Sequence, residues 1–261
     1  MPFSKNNGVS IWYEVSGEGP PLILIHANPF DNQMWMYQVA HFSAKFKVIS
    51  VDLRGYGRSV KMTEEFTLED MANDVLGVME DAGCSKAVVM GCSVGSAIAI
   101  LLTLSHPHMF EASILVGGSS DVSSRFPRRI AGYINDITTY HCEFMRDLFH
   151  PNFVASQRGK YIIDTFIEKQ GWLNAESIAA TLRATNSLVT TQRLHSLRVP
   201  TLVINGEVDN SRPAGELTAS LIPNAQHKII EGAGHACCLE EPEIFDGLVK
   251  AFLVEKGLWP K

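Results

Sequence analysis

Ser93 stands at the centre of Gly91-Cys92-Ser93-Val94-Gly95, between a β-branched run, Ala87-Val88-Val89-Met90, and an apolar run from Ala97 to Leu104. Strand, tight turn and helix in that order form a nucleophile elbow, which holds its central residue in strained backbone and needs small residues two places before and after it. Gly91 and Gly95 fill those two places around Ser93, whereas centring the turn on Cys92 would put Met90 and Val94 there. The serine, not the adjacent thiol, is therefore the candidate nucleophile. A helix starting just after it aims free N–H groups and a positive dipole end at the place where an oxyanion would form, which makes the Val94 N–H the first candidate oxyanion donor. The pentapeptide pattern alone often marks only a turn, so its weight comes from the flanking elements.

Two further residues follow the same logic. Asp209 comes just after the strand candidate Thr201-Leu202-Val203-Ile204-Asn205, and His235 follows Gln226 to Ile230 through Glu231-Gly232-Ala233-Gly234. Carboxyl ends of parallel strands open on one sheet edge, so Ser93, Asp209 and His235 are expected to meet there despite their separation in sequence. The strand Leu22-Ile23-Leu24-Ile25 is apolar at every residue, the pattern of a strand covered on both faces, and it runs into His26-Ala27-Asn28-Pro29-Phe30. Pro29 has no N–H to give, so the Asn28 N–H is the candidate second oxyanion donor. Asp52 and Asp121 also follow strands and remain alternatives to Asp209, or assistants to it. His26 reads as part of the loop's structure. His106, His108, His141, His150, His195 and His227 lack a comparable glycine-flanked strand end.

The elements that must position these groups alternate. Val9 to Val15 and Leu22 to His26, parted by Ser16-Gly17-Glu18-Gly19-Pro20-Pro21, suggest an antiparallel entry into a sheet. Lys47 to Val51 is a strand leading into Asp52-Leu53-Arg54-Gly55-Tyr56-Gly57-Arg58-Ser59, whose spacing fits neither phosphate-loop pattern and reads as a structural turn. Thr67-Leu68-Glu69-Asp70 resembles a capping box opening a helix that Gly83 stops. Ala112 to Val116 is a strand, and Pro242 opens a last helix to about Val254. Strands and helices in this rhythm predict βαβ units and a mainly parallel sheet. From Asp121 to about Ser196 the rhythm stops and helices dominate, for example Tyr161 to Lys169 and Glu176 to Leu188, as expected of a lid over the strand ends.

The chain of 261 residues, 46% hydrophobic, suits one large α/β domain with an insertion. A net charge of -6 without blocks of like charge argues against a nucleic-acid partner. The N-terminal residues lack a signal-peptide core, and no stretch reaches the roughly 18 apolar residues of a membrane span, so a soluble cytoplasmic protein is expected, with no membrane partner. Five cysteines, Cys84, Cys92, Cys142, Cys237 and Cys238, read as reduced packing residues, although the vicinal pair at 237 and 238 also suits a redox switch.

The stretches HANPF, DLRGYGRS, GCSVGS, NGEVDN and GAGHACCLEEPE, in this order, resemble the α/β-hydrolase fold superfamily along nearly the full chain outside the lid, most closely its bacterial enol-lactonase and carboxylesterase branch. The resemblance implies a mostly parallel eight-stranded sheet flanked by helices, with a core at 1–120 and 197–261 and a helical lid at 121–196 inserted after strand 6. It also implies a catalytic triad of Ser93, Asp209 and His235, an oxyanion hole at Asn28 and Val94, no metal and no cofactor. Ala27 and Ser96 stand where the family commonly has glycine, and their Cβ atoms are expected to tighten the pocket. The HANP segment is similar to that of haloalkane dehalogenases, but those use an aspartate followed by tryptophan where this chain has Ser93-Val94. The expected reaction is hydrolysis of a small carboxylic ester or enol-lactone. Carbon–carbon cleavage of a vinylogous diketone and a slow-turnover small-molecule receptor remain open alternatives. Arg125, Arg128 and Arg129, at the start of the lid, are candidates to hold a substrate carboxylate, against the simpler reading of a solvated surface. Monomer and homodimer are both open.

Overall fold

A computed structural model of the protein describes residues 3–6, 8–118, 126–186 and 190–261. Arg125, Asp121 and Leu188 lie outside the described residues.

Every residue of Ala87–Cys92 (β5) and Thr201–Gly206 (β7) is buried, as is Pro21–Ile25 (β3) beyond its first residue. Strands so completely buried have no wet face, and they form the middle of the sheet with Phe110–Val116 (β6). With Phe3–Asn6 (β1), Val9–Ser16 (β2), Lys47–Val51 (β4) and Gln226–Ile230 (β8), they make an eight-stranded sheet in the order β1-β2-β4-β3-β5-β6-β7-β8. Pairing is antiparallel only for β1 with β2 and β2 with β4; every other neighbour is parallel. The entry is thus antiparallel as expected, but β2 pairs with β4 and not with the strand that follows it. Polar β1 and the wetter β2 lie at one edge, and β8, half-exposed along its length, lies at the other.

Helices cover the sheet. Met36–Phe42 (α1) packs on Pro242–Glu255 (α11), while Leu68–Asp81 (α2) packs on Val94–Ser105 (α3). The Thr67 capping box forms as the sequence predicts: Asp70 N–H donates to the Thr67 hydroxyl, and the Asp70 carboxylate accepts the Thr67 N–H. Between β6 and β7 the described elements are helical: Phe126–Asn135 (α4), Ile137–Asp147 (α5), Pro151–Ala155 (α6), Gln157–Ile167 (α7) and Ala175–Asn186 (α8), with short 3-10 turns at Glu168–Trp172 and Thr191–Ser196. Arg212–Leu221 (α9) and Cys237–Glu240 (α10) complete the chain. No described helix is long and apolar enough to cross a membrane.

The turn at 52–59 is structural. Asp52 accepts the N–H groups of Asn32 at 2.7 Å and Arg58 at 2.8 Å, and Arg54 pairs with Asp74 at 2.6 and 2.8 Å. His26, fully buried, accepts the Leu53 N–H at its Nε2, so its Nδ1 carries the proton and donates to Ala27 O. That tautomer pins the end of β3 to the turn. Asp52 is therefore committed beneath this loop, away from the role considered as an alternative to Asp209.

Candidate active site

Ser93 occupies the sharp turn between β5 and α3 with φ 55° and ψ -111°. Non-glycine residues rarely adopt positive φ, and its retention here requires surroundings that over-determine it. The surroundings do so. A Cβ on Gly91 would overlap the Gly95 carbonyl, and one on Gly95 would overlap the carbonyl of Ile25 at the end of β3. The Ser93 N–H donates to Val116 O of β6 at 2.8 Å, tying the turn to the neighbouring strand. The first helical bond of α3, Ala97 N–H to Ser93 O, leaves the Val94 amide among the orphan donors of the helix start. Cys92 is fully buried in β5, and burial pushes its thiol well above the ordinary range. It is no competitor as nucleophile.

Asp209 and His235 leave the carboxyl ends of β7 and β8. His235 Nδ1 lies 2.9 Å from Asp209 Oδ1. The carboxylate is buried and fully engaged: its Oδ1 also accepts the Ser211 N–H at 2.8 Å, and its Oδ2 accepts the Asn205 amide at 3.0 Å and lies 2.8 Å from the Ser211 hydroxyl. Burial alone would raise its pKa, but the His235 charge and hydrogen bond, with those from Ser211 and Asn205, hold it well below the usual carboxylate range. Behind it, His227 Nε2 lies 3.0 Å from Asn205 Oδ1. Neither Ser211 nor Asn205 was singled out from sequence. The one available signal is their position, a polar residue at a buried strand end and another two places after the acid.

Ser93, Val94, Asn28, Asp209 and His235 line one cavity of about 580 Å³. Asn28 Oδ1 accepts the Tyr56 hydroxyl at 2.9 Å, which fixes the side chain of the loop that carries the Asn28 amide. The helices between β6 and β7 close the opposite wall with Phe126, Tyr140, Phe144, Leu148, Phe149 and Thr181. Arg128 and Arg129 line it too, Arg129 with its guanidinium 4.6 Å from the Phe144 ring, but Glu143 and Asp147 stand on the same wall. The charges there balance, so the cationic anion clamp suggested by the arginines alone is diluted.

Two expectations need correction. Neither Ala27 nor Ser96 lines the cavity. Ala27 is fully buried, and the Ser96 hydroxyl points away into the sheet, 2.6 Å from Gly91 O and 2.9 Å from Val116 O, where it serves backbone carbonyls that a glycine would leave to other donors. Cys237 and Cys238 are free and buried in this structure, with thiols pushed up by burial. Among the described residues no cluster of His, Cys, Asp or Glu could hold a metal ion.

Ser93, on a strand-to-helix turn at positive φ, thus shares one cavity with an imidazole whose Nδ1 lies against a buried carboxylate. The chain belongs to the alpha/beta hydrolase fold family, which matches residues 20–242. Carboxylesterase YbfK of Bacillus subtilis is 26% identical over 90% of this chain and 81% of its own length. The 3-oxoadipate enol-lactonase 1 of Acinetobacter baylyi is 25% identical over 95% of this chain and 96% of its own. The crystal structure of a hydrolase from Pseudomonas aeruginosa superposes with a TM-score of 0.90 at 26% identity, covering 96% of this chain and 97% of that one.

Proposed function

We propose that the protein is a cytoplasmic serine hydrolase that opens a small carboxylic ester or lactone through an acyl-enzyme. The observation that carries this reading is that Ser93 at positive φ and the 2.9 Å His235–Asp209 pair share the wall of one cavity. Ser93 Oγ attacks the scissile carbonyl as His235 Nε2 takes its proton, and Asp209 holds the Nδ1–H and stabilises the imidazolium. The N–H groups of Asn28 and Val94 bind the oxyanion of the tetrahedral intermediate; one such donor is worth about 3 to 4 kcal/mol of transition-state stabilisation. His235 then protonates the departing alcohol, and water repeats the sequence to release the acid and restore Ser93. Residues 121–196 serve as the lid, and a cavity of about 580 Å³ suits a small substrate. The carboxylesterase and enol-lactonase relatives support the choice of ester or lactone.

Hydrolysis of p-nitrophenyl acetate and butyrate, beside Ser93→Ala and with intact-mass spectra of both proteins, tests the proposal. Multiple turnover lost in Ser93→Ala is the expected result. A single burst leaving a stable acyl mass would favour the slow receptor, and full activity in Ser93→Ala would remove the serine from the mechanism.

A further inference from the structure

Glu240, the last residue of α10, is fully buried. Its Oε1 accepts the Gly234 N–H at 2.7 Å and its Oε2 the His150 N–H at 2.8 Å. These two amides belong to different parts of the molecule. Gly234 immediately precedes His235, while His150 follows Leu148 and Phe149, both in the cavity wall. The two segments also touch directly: Ala236 N–H donates to Leu148 O at 3.1 Å, and a Cβ on Gly234 would stand 2.8 to 2.9 Å from Phe149 C, His150 N and Leu148 O. From α7, the Arg158 guanidinium hydrogen-bonds the Glu240 backbone carbonyl.

Two converging N–H donors require an acceptor on each oxygen. Both oxygens of a carboxyl group carry lone pairs that can accept; an amide of the same shape offers an acceptor to one N–H and sets its own N–H₂ against the other. We propose that Glu240 is a positioning residue: one oxygen on each segment makes it a strut that sets His235 at a fixed distance from the cavity wall at 148–150. The proposal rests on the reading of His235 as the catalytic base, and Glu240 itself touches no substrate. The groups facing it are His150 ahead of α6, Arg158 on α7, His235 across the loop, Cys237 and Cys238 on its own helix, and Glu241 beside it.

The test is Glu240→Gln, read in two ways. The first is the low-field NMR resonance of the His235 Nδ1 proton, assigned by its loss in His235→Gln. The second is kcat and KM for p-nitrophenyl butyrate. Displacement of a catalytic group by about 1 Å costs on the order of 100-fold, so a kcat loss of about 10- to 100-fold is expected, together with a shifted or broadened resonance in a protein that still unfolds cooperatively. An unchanged resonance and kcat in folded Glu240→Gln would overturn the proposal. Should that variant not fold, the same readouts on Glu240→Asp decide, because it keeps both acceptors on a shorter strut: a shifted resonance with a smaller kcat loss supports the proposal, and wild-type values overturn it. If the wild type hydrolyses no ester, the serine hydrolase reading falls, and the resonance alone still tells whether Glu240 positions His235.

Discussion

Gly117 presses its backbone against the His235 ring: a Cβ at position 117 would lie 2.6 Å from Cε1 and 2.8 Å from Nδ1 of the imidazole. Gly117 follows β6 at φ 54°, and its N–H donates to Ile204 O of β7, so the backbone cannot withdraw without breaking that bond to the sheet. Gly117→Ala must therefore move the ring and adopt a backbone conformation that L-residues disfavour. On the proposed mechanism kcat for p-nitrophenyl butyrate falls at least about 100-fold, since misplacement on that scale costs as much. Circular dichroism should remain native-like; activity near the wild type would show that His235 tolerates displacement or plays no part.

Ser211 contributes two of the contacts that hold Asp209, one from its backbone and one from its hydroxyl, which also lies 3.0 Å from Gly117 O. Ser211→Ala deletes the hydroxyl and spares the N–H. A neutral-to-charged hydrogen bond is worth about 1.5 to 3 kcal/mol, so a kcat loss of roughly 10- to 100-fold is the upper range, with KM little changed. Steady-state kinetics across pH 5 to 9 would check it. No change in kcat would mean that the Asn205 amide and the Ser211 N–H suffice.

Burial pushes Glu240 up to about 7 from an ordinary value of 4.5, against the opposing pull of its two N–H donors. A raised carboxylate makes the folded state bind the proton more tightly than the unfolded chain does. Stability from this group is therefore full below about pH 4.5 and is lost as pH rises through about 7, a change on the order of 3 kcal/mol at most. Glu240→Gln should flatten that segment of the stability curve. Urea titrations at pH 5, 6, 7 and 8 measure it; identical slopes in the two proteins would refute the assignment.

Arg128 is exposed on a wall that also holds Glu143 and Asp147. Its removal should raise KM for an ester bearing a carboxylate by only about 2- to 5-fold, in keeping with the roughly 1 kcal/mol typical of exposed ion pairs, and leave neutral esters unaffected. Equal effects on both substrates would rule out a role in anion binding.

The sequence by itself determined β3, β5 and β7, because strands buried on both faces must be apolar at nearly every position, a demand written locally in ILI, VVM and LVI. It also located Ser93 through the flanking Gly91 and Gly95, of which Gly91 is required by the Gly95 carbonyl four residues on and Gly95 by the distant end of β3, and it put Asp209 and His235 just past strand ends. What it did not reveal depends on partners distant in the chain. Short, polar β1 is a strand only because β2 lies beside it, and nothing in β2 announces that its partner is β4. Gly117 has an ordinary strand-end appearance until His235 is seen 118 positions later against it. Glu240 reads as one of a charged pair ahead of a helix, yet it is buried between the His235 loop and residue 150, while its neighbour Glu241 is not. Tertiary structure alone decided these, and the cavity wall as well, because the face a helix turns inward is set by how α4, α5 and α8 dock over the strand ends rather than by their own periodicity.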